Sequence, residues 1–108
     1  MFYTYLLGSL VDNELYIGST NDLKKRLQEH NSGKVASTKH RIPLTLLYYE
    51  AYRTEQEARN RESALKLRGQ ARNQLVKRIP DTLRLFRNKI WCAGLPAHQI
   101  EYYLIKLN

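Results

Sequence analysis

The chain has 108 residues, 43% of them hydrophobic and 26% charged, enough for one domain with a single core and too few for two. Eighteen lysines and arginines stand against ten acids, and the resulting net charge of +8 points to a polyanion, usually nucleic acid, as the partner. One cysteine, Cys92, excludes an internal disulfide scaffold; no zinc-ligand spacing, signal-peptide pattern or membrane-length apolar run occurs, so a soluble cytoplasmic protein is expected.

In chain order, residues 2–8 alternate as a strand, with Tyr3, Tyr5 and Leu7 on one face and Phe2, Thr4 and Leu6 on the other. Gly8-Ser9 and Asp12-Asn13 read as the loop to a second strand from Glu14 to Gly18. So short a connection makes the two strands antiparallel neighbours and lets Tyr5 and Tyr16 approach across the pair. Ser19-Thr20-Asn21-Asp22 is a run of helix N-cap residues, and it opens an amphipathic helix that Asn31-Ser32-Gly33 ends. On a 3.6-residue wheel Leu23 and Leu27 mark the inward stripe; Arg26 lies about sixty degrees to one side and His30 almost on the stripe. Polar groups on an inward face must be hydrogen-bonded or line a site.

Lys34 to Pro43 has no clear period and reads as an exposed basic loop. Leu44 to Tyr52, rich in leucine and tyrosine, reads as the third and central strand. Thr54 with Glu57 forms a capping box for a second helix, on which Ala58, Glu62 and Leu65 share a stripe, so a carboxylate again points inward. Gly69 breaks that helix, and Ala71 to Arg78 continues as a basic helical segment. Between Arg53 and Arg78 there are eight basic and three acidic residues, the densest positive stretch in the chain. Beyond Pro80 a short helix over 81–89 is expected, then a turn over 90–96, and a strand or helix over 100–107. His40 and His98 carry no functional expectation.

Phosphodiester hydrolysis needs a hard cation on the phosphate oxygens, a base for the attacking water, positive charge at the transition state, and help for the leaving 3′ oxygen. Tyr5, Tyr16, Arg26, His30 and Glu62, the inward polar groups, supply such a set. Glu62 offers one carboxylate to a magnesium ion that keeps most of its waters. Arg26 can clamp phosphate in bidentate fashion, and His30 or a tyrosinate can act as base. Each has a plainer reading: the tyrosines as sheet core, Arg26 and Glu62 as an ion pair between helices, and His30 as a helix-end cap on carbonyls. Lys24, Lys25 and Lys34 have the plain reading of a solvated face.

On these residues the chain resembles the GIY-YIG nucleases. Tyr16-Ile17-Gly18 keeps the second half of the signature, while Tyr3-Thr4-Tyr5 stands where Gly-Ile-Tyr is usual and retains only its tyrosine. The eleven-residue step from Tyr5 to Tyr16 and the ten-residue step from Tyr16 to Arg26 fit the family, and His30 and Glu62 fall at its histidine and glutamate. The likeness covers roughly residues 2–78 and is strongest to the small single-domain bacterial members. It implies an α+β fold (an α/β sandwich), a three-stranded antiparallel sheet flanked by helices, in a nuclease-like domain over 1–80 with an extension over 81–108.

The resemblance further implies a one-metal endonuclease site using Mg²⁺ or Mn²⁺. In it Tyr5 is base or water-positioner helped by His30, Tyr16 orients water or phosphate, Arg26 stabilises charge and Glu62 holds the metal. Lys24, Lys34, Lys39, Arg41, Lys66, Arg68, Arg72 and Asn73 are the expected nucleic-acid contacts, Asn73 lying one residue from the family's late asparagine. The expected substrate is branched, flapped or damaged DNA, as in repair, recombination or mobile-element enzymes, with RNA open. A homodimer or partner protein would supply specificity, with the tail bearing Trp91 and Tyr102-Tyr103 as candidate surface. The alternative is a catalytically weak nucleic-acid-binding module acting through its basic surface.

Overall fold

In the computed structural model, which describes residues 1–67 and 69–88, the apolar run at the start of the chain becomes the middle of the sheet. The elements run β1 (Phe2–Ser9), β2 (Leu15–Thr20), α1 (Leu23–Asn31), β3 (Leu44–Tyr52), α2 (Glu55–Lys66), α3 (Gln70–Arg78) and α4 (Pro80–Arg87). The three strands form one antiparallel sheet in the order β2-β1-β3, so the α+β class and the antiparallel sheet hold as expected. The expectation of a central third strand does not. An inner strand has both faces and both edges covered, and β1 is buried from Thr4 to Ser9. β3 instead carries Glu50 and an exposed Tyr49, groups that an edge strand tolerates.

Each face of β1 has its own core. Tyr5 and Leu7 join Leu44, against Leu23 and Leu27 of α1. Leu6 joins Ile17, Leu65 of α2 and Leu75 of α3 on the opposite face. The helices are stitched to the sheet by polar contacts as well. Thr4 Oγ1 donates to the Ala58 carbonyl at 2.7 Å, and Asn31 both donates to the carbonyl of Leu44 and accepts from its N–H. On the second face Glu50 accepts from the Tyr48 and Tyr52 hydroxyls and from Nε and Nη2 of Arg61, fixing α2 against β3. Phe86 of α4 lies over Gly8 so closely that a Cβ there would fall 2.5 Å from its ring.

The caps follow the sequence with small changes. Asp22 alone of the polar run caps α1, accepting from the Lys25 N–H, while Ser19 and Thr20 extend β2 beyond its expected end. Thr54 accepts from the Glu57 N–H, but the Glu57 carboxylate takes the Thr54 hydroxyl hydrogen in return, an interaction between side chains. The loop over 34–43, expected to be exposed, is so only at Lys34, Ala36, Ser37, Lys39 and His40; Val35 and 41–43 are half-buried and Thr38 is fully buried. The expected turn over 90–96 and element over 100–107, with Trp91 and the Tyr102-Tyr103 pair, lie outside the described residues. Among the described residues no helix is long and apolar enough to cross a membrane.

Candidate active site

The helix α1 delivers His30 into the core because Leu23 and Leu27, on nearly the same side, are drawn to the sheet. There it is fully buried, and its Nε2 lies 2.9 Å from the Tyr5 hydroxyl. Its Nδ1 lies 2.7 Å from Oγ1 of Thr38, which is just as buried. The Thr38 hydroxyl hydrogen is directed at the Val35 carbonyl, 3.5 Å away, so Nδ1 carries the ring proton and Nε2 accepts from Tyr5. His30 is thus no carbonyl cap.

Tyr16 closes the group. Its ring centroid is 5.1 Å from that of His30 and 6.5 Å from that of Tyr5, confirming the approach of the two tyrosines. They meet diagonally, because Tyr5 is paired with Gly18 and Leu7 with Tyr16. Gly18 is the seat of Tyr5: a Cβ there would fall 2.6 Å from the tyrosine Cζ. The signature glycine is therefore a matter of space at the Tyr5 hydroxyl.

Burial sets the protonation states. It pushes the Tyr5 phenol up to about 12, against the opposing effect of the neighbouring Arg26 guanidinium. Burial, reinforced by the positive charge of Arg26, pushes His30 down to about 4, so the imidazole is neutral near pH 7. Arg26 itself is partly exposed on the rim, 3.7 Å from Glu29 one turn on.

Glu62 stands on the other side of the sheet. Alternation along β2 sends Tyr16 and Gly18 to the α1 face and Ile17 and Ser19 to the α2 face. There Ser19 Oγ donates to Glu62 Oε1 at 2.7 Å, and Lys66 Nζ pairs with Oε2 at 2.8 Å. Burial works to raise the Glu62 pKa, but the hydrogen bonds from Lys66 and Ser19 outweigh it and hold the carboxyl below its usual value. Arg26 and Glu62 therefore take different partners and do not form the ion pair of the plainer reading. The two halves still feel each other around β2: the Glu62 charge acts on Tyr5, and Tyr16 acts on Lys66.

Glu62 fits a single-carboxylate magnesium site. It is ionised, partly exposed and anchored by a serine, and among the described residues no group of three His, Cys, Asp or Glu side chains forms a cage. A lone carboxylate suits an ion that keeps its waters and draws other ligands from substrate phosphate, and does not suit structural zinc.

The expected nucleic-acid contacts are scattered. Lys24, Lys34 and Lys39 are exposed, on α1 and on the loop after it. Arg41 lies at the far end of β1, 3.7 Å from Asp12, and its carbonyl accepts from Ser9. Lys66 is engaged by Glu62, Arg72 is half-buried and Asn73 exposed on α3, and Arg68 is outside the described residues. Sequence reasoning missed Thr38, Ser19 and the spatial role of Gly18. A threonine in a basic loop carries no local signal, whereas an N-cap-type serine just after an apolar strand could have been read as strand.

The profile of the GIY-YIG catalytic domain matches residues 1–75. A UPF0213 protein of Streptococcus pyogenes serotype M3 is 48% identical over 67 residues, spanning 61% of this chain and 72% of that protein. A UPF0213 protein of Streptococcus pyogenes serotype M5 is 46% identical over the same shares. The solution NMR structure of the UPF0213 protein BH0048 from Bacillus halodurans is 34% identical and covers 71% of this chain and 84% of its own, with a TM-score of 0.46. With the signature, its spacing and its fold in one place, this chain belongs to the GIY-YIG family, a nuclease family, in the company of the UPF0213 proteins.

Proposed function

We propose that this chain is a divalent-metal-dependent endonuclease that hydrolyses phosphodiester bonds in DNA, with branched, flapped or damaged structures as its substrates. One observation carries the reading. A tyrosine hydroxyl is held on an uncharged histidine on one face of the sheet, with an ionised carboxylate beside β2 on the other. A packed core needs neither group in that state.

The residues divide the work as follows. Tyr5 takes the proton of the attacking water while its own hydroxyl proton passes to Nε2 of His30, which the hydrogen bond already connects. The water oxygen bonds to phosphorus, and the bond from phosphorus to the 3′ oxygen breaks. The low proton affinity of His30 rises as the negative phosphate enters beside it. Tyr16 orients the water or the phosphate, and Arg26 places positive charge on the phosphate oxygens. Glu62 would hold the Mg²⁺ or Mn²⁺, which would supply positive charge to the reacting phosphate.

The test is cleavage of duplex, flapped, branched and single-stranded DNA by the parent and by Glu62→Ala, in Mg²⁺, Mn²⁺ or EDTA. The expected outcome is metal-dependent cutting by the parent, reduced at least about 100-fold in the variant while binding persists. Salt-sensitive binding with no cutting by either protein would support the second reading, a binding module. The double engagement of the Glu62 carboxylate by Ser19 and Lys66 is the observation that favours it.

A further inference from the structure

Between the first turns of α1 and α2, at the end of β2, lies a polar cavity of about 290 Å³. Its walls include Ser19, Asn21, Arg26 and Glu29 on one side and Glu55 and Arg59 on the other. Ser19 is the residue whose hydroxyl donates to Glu62, so the cavity adjoins the proposed metal carboxylate. Two guanidinium groups thus face one small space from two helices that the sheet separates. From the cavity, and resting on the nuclease reading above, we infer that Arg59, which faces the scissile-phosphate arginine Arg26 across it, forms a second subsite. It takes the phosphodiester group next to the scissile one.

The two arginines are held differently, since Arg26 is also hydrogen-bonded to the Tyr5 hydroxyl. Arg59 is paired with Glu55 one turn earlier on α2, and Arg26 is 3.7 Å from Glu29 one turn later on α1. The α2 pair is solvent-exposed, with 66% of the Arg59 side chain and 52% of Glu55 exposed. An exposed pair within one helix contributes little to stability, so folding gives no strong reason to keep Arg59 and Glu55 at the cavity. A guanidinium has five N–H donors in a fixed fork, and one carboxylate uses at most two acceptor positions on it. The remaining donors serve a phosphate. The cavity is at the small end of the ~300–1,000 Å³ typical of ligand pockets, a size for a phosphate with part of its sugar and not for a stacked base.

In the free protein Glu55 and Glu29 hold these arginines in place; on binding they are negative charges beside a negative ligand. Opposite signs follow for the two ends of the α2 pair. Removing the arginine weakens DNA binding, and neutralising the carboxylate strengthens it.

The experiment measures binding of a fluorescein-labelled flapped DNA duplex in EDTA, across a salt series, by the full-length parent, Arg59→Ala and Glu55→Gln. Thermal melts check folding. Arg59→Ala should weaken binding about 10-fold and reduce the slope of log affinity against log salt by about 1. Glu55→Gln should tighten binding about threefold. Loss of affinity in both variants, or a salt slope unchanged in Arg59→Ala, would overturn the subsite. The nuclease reading fails separately. Opposite-sign binding effects with no cutting in Mg²⁺ or Mn²⁺ leave the subsite standing and remove the nuclease, whereas Glu62-dependent cutting with no Arg59 effect does the reverse.

Discussion

The two sides of β2 solve different problems. On one, Tyr5, His30 and Thr38 are buried and hydrogen-bonded in line, and burial holds Tyr5 and His30 far from their ordinary protonation behaviour. On the other, Glu62 is about 20% exposed beside a serine and a lysine, and its shift comes from partners it can exchange. Proton transfer needs fixed distances and a water-poor setting, and charge on a metal and a phosphate needs access. In the proposed nuclease the sheet keeps these requirements apart, and the substrate would join them.

The comparison predicts large effects on the buried side and small ones on the exposed side. Tyr5→Phe removes the hydroxyl and should lower cleavage about 10²–10⁴-fold, read as kcat on flapped DNA. It also leaves His30 Nε2 without its donor, at about 1–3 kcal/mol in a denaturant melt. An unaffected rate would place the base elsewhere.

Acid should weaken the buried side next. The His30 pKa is about 4 in the folded chain and ~6.5 in the unfolded one, so below pH 6.5 the unfolded state binds the extra proton. Stability contributed by the neutral imidazole is complete above pH 6.5 and falls toward pH 4, by about 3 kcal/mol in all. Urea melts across that range, parent against His30→Gln, measure it; parallel curves would deny the shift. Thr38→Val strands the His30 Nδ1 proton and should cost about 1–3 kcal/mol, while Thr38→Ser restores most of it. The nitrogen chemical shifts of His30 would show whether the tautomer is lost.

On the exposed side Lys66→Ala breaks a solvent-accessible pair and should change stability by less than ~1 kcal/mol. A loss comparable to that of Thr38→Val would mean that the two sides are not as different as burial suggests.

Where a residue's environment is made by its own helix or strand, the sequence was legible. The wheel through Leu23, Arg26, Leu27 and His30 located the buried His30 with Arg26 on the rim beside it, and Asp22, Thr54 and Gly69 marked helix ends that the structure keeps. Signature spacing located Tyr5 and Tyr16 on neighbouring strands because two antiparallel strands with a short turn leave little choice of register. Strand order was not legible. β1 and β3 are both apolar, and which becomes central depends on what covers the second edge, a question of long-range pairing. Thr38 entered the site because a loop folded back onto a helix end, and that contact spans eight residues without a periodic pattern.

The amino-acid sequence by itself determined the elements, the inward stripe of α1, the basic character and the spacing of the signature, since these follow from local geometry and charge. Only the tertiary structure decided that β1 is central and that Thr38 sets the His30 tautomer. It also decided that Gly18 yields space to the Tyr5 hydroxyl and that Glu62 reaches the site from the opposite face. Each of those depends on which surfaces meet across the sheet, and burial, which moves the protonation of Tyr5 and His30, exists only once they have met.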